Sequence, residues 1–107
     1  MQLNVVLRVL LFRDPYDQST WIAQAIDHDI AAHGADIDEA KRAFIHTVEG
    51  YVMLADKHNQ EPLANLKPAP QPFRDIWNRL AEESRVERMA PAAFMLPVVT
   101  YDTVSTQ

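Results

Sequence analysis

The stretch from Ile30 to Tyr51 constrains this chain more than any other. A short apolar run, Ile30-Ala31-Ala32-His33, stops at Gly34, and a long amphipathic pattern opens at Asp36. Gly34 is one of only two glycines and suits a sharp reversal between strand and helix, because a residue without Cβ reaches φ > 0 freely. Asp36 stands where an N-cap belongs, and Glu39 follows three residues on, a capping box with Asp in place of Ser or Thr. Asp38 and Glu39 also set negative charge at the positive end of the helix dipole. Ile37, Ala40, Phe44, Val48, Tyr51, Val52 and Ala55 recur at three- and four-residue steps, while Asp38, Lys41, Arg42, Glu49 and Asp56 fall mostly on the other side. The spacing predicts a helix over 36–59 that ends in a polar run suited to a C-terminus. Gly50 lies inside it at a cost of about 1 kcal/mol against alanine, and is expected to mark close approach to a neighbouring strand.

Upstream, Leu3 to Arg13 is rich in Val and Leu, which favours a strand. Alternation puts Leu3, Val5, Leu7, Val9 and Leu11 on one face, expected to lie against the helix. Val6, Leu10 and Phe12 make the other face too apolar for water, so the C-terminal region or another chain is expected to cover it. Asp14 to Gln18 is a turn by composition, Ser19 to Asp27 completes a hairpin, and Ile30 to His33 is a third strand. Beyond the helix, residues 60–72 hold Pro62, Pro68, Pro70 and Pro72 without periodicity, an extended arm. Pro72 suits the first turn of a second helix running to about Met89, with Phe73, Ile76, Trp77, Leu80 and Ser84 as its stripe. Pro91 and Pro97 bracket a loop, and Val98 to Val104 has the β-branched density of a last strand. These elements predict one α+β domain over 1–107. Its core, 4–59, is a small antiparallel sheet and helix in the order β-β-β-α; the arm over 60–72 leads to the second helix and C-terminal strand of 73–107.

Composition excludes several kinds of chemistry. There is no cysteine, hence no disulfide scaffold, thiolate metal site or cysteine nucleophile. Fifteen Asp and Glu against ten Lys and Arg leave a net charge of −5, so no diffuse basic surface recommends the chain to nucleic acid or anionic lipid. The apolar opening from Leu3 to Phe12 contains Asn4 and Arg8, is too short to span a bilayer and lacks a cleavage pattern; a cytoplasmic location is expected. Two glycines cannot build a phosphate loop, and no Ser-His-acid order is present.

Asp27, Asp29 and His33 share a parity along an extended segment, with His28 adjacent, which would suit a divalent metal only if the 27–29 connection kept that parity. Acidic turns before a strand are common, and the structural reading is preferred. His46 and His58 stand twelve residues apart on or beside the first helix, one facing solvent and the other near its C-terminus. No catalytic, cofactor-binding or metal-ligating set emerges. Trp21 and Trp77 carry two readings, packing in the sheet and in the second helix's stripe, or anchors of a partner interface, with Tyr16 at the hairpin tip as a rim contact.

Residues Ile30 to Ala40 resemble the HicB-like antitoxin pattern, roughly Gly-Cys-hydrophobic-Ala-Gln-Gly-Asp-Thr-hydrophobic-Glu-Glu-Ala. Ala32, Gly34, Glu39 and Ala40 match outright, and Asp36 replaces the capping Thr with an equivalent cap. Asp29, Ile30, His33 and Ala35 stand where the pattern has Gly, Cys, Gln and Asp. The resemblance covers Asn4 to about Asn59, and Val98 to Val104 loosely. It implies a hairpin, a third strand, a long helix and a further strand closing a small ribonuclease H-like sheet without the acidic active site of true ribonucleases H. It also implies a non-enzymatic protein that binds a small HicA-type, messenger-RNA-cleaving toxin and neutralises it by occlusion; the half-apolar second face of the sheet adds the expectation of a homo-oligomer. The DNA-binding segment that many such proteins carry has no clear counterpart. A stand-alone adaptor or assembly domain is the alternative, and a metal-dependent nuclease-like enzyme a more distant one.

Overall fold

The computed structural model describes residues 4–61, 63–83, 85–89 and 98–106. Strand β1 (Asn4–Asp14) turns through Pro15 and Tyr16 into β2 (Asp17–Ala25), and β3 (Ala31–Gly34) leads into helix α1 (Ile37–Lys57). Helix α2 (Gln71–Glu82), β4 (Glu87–Met89) and β5 (Val98–Ser105) follow. The described strands form one sheet in the order β3-β2-β1-β5-β4. Leu3, Pro62, Ser84 and the expected 91–97 loop lie outside the described residues.

This α+β sheet is mixed, not the antiparallel sheet expected. β1 pairs antiparallel with β2 but parallel with β5, from Asn4 beside Val98 to Leu11 beside Ser105. The chain leaves β1 on one side through the hairpin and returns on the other after both helices. Alternation and β-propensity mark a strand's residues without saying beside which strand, or in which direction, it will lie.

Opposite faces of the sheet carry separate cores. On one, Leu7, Val9 and Leu11 of β1 meet Phe44, Val48 and Val52 of α1, and the Tyr101 ring of β5 stands edge-on to Phe44 at 6.1 Å and 82°. On the other, Leu10, Ile26 and Val104 pack with Trp77 and Leu80, while Phe73 lies 5.6 Å from Phe12. Within the chain, α2 therefore covers Leu10 and Phe12, and the apolar second face no longer calls for another copy. Val6, farther along that face, stays 47% exposed. The arm joins the two layers: Leu63 is buried beside α1, the Lys67 carbonyl accepts from Asp29 N–H at 2.6 Å, and Ala69 donates to Ile26 at 2.9 Å.

Three local expectations change. The second helix stops at Glu82 rather than near Met89, because residues 87–89 bond to β5 and Arg88 reaches across to Asp102 at 2.8 Å. The mixed charges Glu82, Glu83, Arg85, Glu87 and Arg88 would suit a solvated helix face, and they serve an exposed edge strand equally well. Gly34 is not at positive φ; it is needed because a Cβ there would stand 2.5 Å from Ala40 N and 2.7 Å from the Glu39 carbonyl carbon. Gly50 faces open space, with nothing within 4 Å of an added Cβ, so it marks no close approach. The C-terminal signal does act as read: Asn59 adopts φ 54° just past α1, a conformation asparagine tolerates better than most residues.

Candidate functional site

The strand-to-helix corner is built by the residues that the motif names. Asp36 is the N-cap of α1 and accepts from Glu39 N–H at 2.7 Å. Gly34 lets the strand end directly on the first turn, where Ala40 is fully buried. Ala32 lies opposite Ala23 on β2. The corner thereby fixes the angle at which α1 crosses the sheet and leaves β3 at the outside.

Of the three interface candidates, Tyr16 is 98% exposed at the hairpin tip, where its N–H is held by Asp14 at 2.8 Å. Trp21 and Trp77 are both buried, and the structure gives each a packing role. Trp21 joins the α1 core under the Arg13 guanidinium, 5.2 Å from the ring centre, and Trp77 joins the α2 core under Arg8 at 5.7 Å. A cation over an indole face is attracted by the ring quadrupole and shields one face of the ring from water.

The acidic residues before β3 are committed to other partners. Arg8 donates two hydrogen bonds to Asp27, at 2.8 and 2.6 Å, and these hold the carboxyl below its ordinary range. Asp29 accepts from the Gln24 amide at 2.9 Å. His33 is exposed, and His28 keeps its Nδ1 buried without a partner among the described residues. No group of three or more His, Cys, Asp or Glu converges among the described residues. His46 and His58 are both exposed, and His58 caps α1 through its backbone N–H. Tyr101 is a buried phenol whose hydroxyl has no partner among the described residues; burial first, and the Glu49 charge second, push its pKa up to about 12.

Clefts of similar size open at several places on the molecule, among them one of about 430 Å³ at the strand-to-helix corner, bounded by Arg13, Trp21, Asp36, Ile37 and Asp38. Another, about 400 Å³, lies between α1 and the β4–β5 side, bounded by Lys41, Arg85, Glu87 and Thr103; Arg85 is anchored there on the Ser105 carbonyl at 2.6 Å. A third, about 390 Å³, lies along β3 and is lined by Asp14, Thr20, Ile22, Ala31, Ala32 and His33. A smaller hollow of about 190 Å³ lies beneath Tyr51, Leu54 and Leu66, so Tyr51, expected on the packed stripe, is partly open to solvent.

Charge separates the two ends of the sheet. Between Arg13 and Lys41 there is no Lys or Arg, yet this stretch holds Asp14, Asp17, Asp27, Asp29, Asp36, Asp38 and Glu39. It contains the hairpin tip, β2, β3 and the start of α1, so seven of the chain's fifteen carboxylates fall in the stretch that builds the β2–β3 half of the sheet and its corner with α1. Among the described residues, Asp27 is the member of that set tied to a cation, by Arg8. The gap in cations is visible in the sequence; what sequence alone does not reveal is that the stretch includes β3, one edge of the sheet. Among the described residues no helix is long and apolar enough to cross a membrane. Comparisons with protein-family models, with curated proteins and with solved structures find no match for this chain.

Proposed function

We propose that this chain is a non-enzymatic protein-binding module of the HicB-like kind, which neutralises a small RNA-cleaving toxin by covering it. Connectivity carries this reading. A hairpin, a third strand, a long helix and a later strand that extends the sheet follow the order that the resemblance implies, with α2 and β4 added before that last strand. Gly34, Glu39 and Ala40 of the motif meet at the corner, where close approach gives a physical reason for Gly and Ala. The acid-rich β2–β3 half of the sheet suits a basic partner, as a toxin that handles RNA must be at its active surface.

Co-expression with the product of the adjacent small open reading frame tests the proposal. Restored growth together with a stable complex is expected. A product that is harmless alone, or is not captured, contradicts the antitoxin reading for that pair and favours an adaptor role.

A further inference from the structure

β3 is an edge strand, and its phase is set by one bond. Ala25 donates to the Ile30 carbonyl at 2.9 Å, so in the antiparallel ladder Ala32 and Gly34 bond toward β2. The backbone N–H and C=O of Ala31 and His33 point the other way, out of the sheet. Both residues are exposed, and their side chains share a face with Ile22 and Thr20 in the cleft that α2 leaves uncovered. Proteins commonly blunt such edges with lysine, proline or a bulge. β3 has none of these.

We propose that the open edge of β3 docks an extended, basic segment of a partner protein, which adds to the sheet as a further strand. Main-chain bonds to Ala31 and His33 supply the attachment, and the cleft takes alternate side chains of the added strand. Charge selects the occupant. Asp29 and Asp36 flank the edge, Asp14 borders the cleft, and Asp38 and Glu39 follow on the first turn of α1. Arg13, stacked on Trp21, Lys41, one turn past Asp38 on α1, and Lys67, whose carbonyl meets Asp29, are cations nearby. A second copy would bring this acidic rim against itself, whereas Lys or Arg at both ends of the incoming strand complements it. The inference rests on the protein-binding reading above.

The test uses the full chain against a displayed library of random twelve-residue peptides, selected at low salt. Expected are peptides rich in β-branched residues with terminal Lys or Arg, weakened by added salt, whose binding shifts the amide resonances of Ala31 to Gly34. His33→Pro removes an outward-pointing N–H together with the imidazole at the cleft, leaves the donors of Ala32 and Gly34 toward β2 in place, and should weaken these peptides about tenfold or more. His33→Lys, a surface change that spares the fold, should weaken them about threefold or more by like-charge repulsion. Peptides that bind either variant as tightly as the parent, an empty selection, or a dimer that His33→Pro dissolves would overturn the proposal. If His33→Pro still protects cells in the co-expression test, the edge assignment fails while the protein-binding reading stands. Failure of the parent chain in that test instead removes the toxin reading.

Discussion

Gly34 and Ala40 stand so close that a Cβ on Gly34 would lie 2.5 Å from the Ala40 backbone nitrogen. The obstruction is backbone, not the end of a flexible side chain, so a methyl group there must displace β3 or the first turn of α1. Gly34→Ala is predicted to destabilise the fold by about 2–3 kcal/mol, within the range for overpacking. Gly50→Ala should stabilise it by about 0.5–1 kcal/mol through helix propensity alone. Urea melts of the two variants check the pair, and an unchanged midpoint for Gly34→Ala contradicts the packing of the corner.

Tyr101 offers a second test. Its ring packs on Phe44, but its hydroxyl is buried without a partner among the described residues. Tyr101→Phe keeps the ring and removes the unsatisfied group, so stability should be unchanged or rise by about 1 kcal/mol. A loss of similar size would mean that the hydroxyl is hydrogen-bonded in solution.

The Arg8–Asp27 pair gives stability a pH dependence. Two hydrogen bonds from Arg8 lower the Asp27 pKa in the folded state. The stabilisation is therefore fully present above the unfolded value of about 4, and is lost as pH falls through the lower folded value. With Arg8 38% and Asp27 44% exposed, screening limits the contribution to about 0.5–1 kcal/mol. Asp27→Asn should cost that much near about pH 7, with the difference from the parent shrinking below about pH 4. Equal differences at both pH values contradict the assignment.

Tyr16 separates binding from folding. At 98% exposure it supports almost no packing, so Tyr16→Ala should change stability by less than about 0.5 kcal/mol. Trp77→Ala, by contrast, empties the core between α2 and the sheet and should cost about 3–5 kcal/mol. Thermal melts distinguish these outcomes, and a large loss for Tyr16→Ala would place that ring in contacts the hairpin tip does not show.

The elements with local chemistry were the legible ones. Asp36, Glu39 and the apolar stripe from Ala40 to Val52 place α1 to within two residues of the expected bounds, and the alternation of Leu7 to Phe12 assigns both faces of β1. Long-range choices were not. The parallel seating of β5 on β1 leaves no mark in either strand's pattern, and β4 exists only because β5 is there to bond it. The same holds for the edge of β3. Its acidic rim can be read as an absence of Lys and Arg between Arg13 and Lys41, but its openness follows from the strand order.

Occlusion is tested most directly by titrating the purified chain into an RNA-cleavage reaction run by the product of the adjacent small open reading frame. Cleavage should fall in proportion to added chain and cease at a fixed stoichiometric ratio, with the chain itself cleaving nothing. Cleavage that persists at excess chain, in the presence of a folded protein, would contradict neutralisation by direct binding.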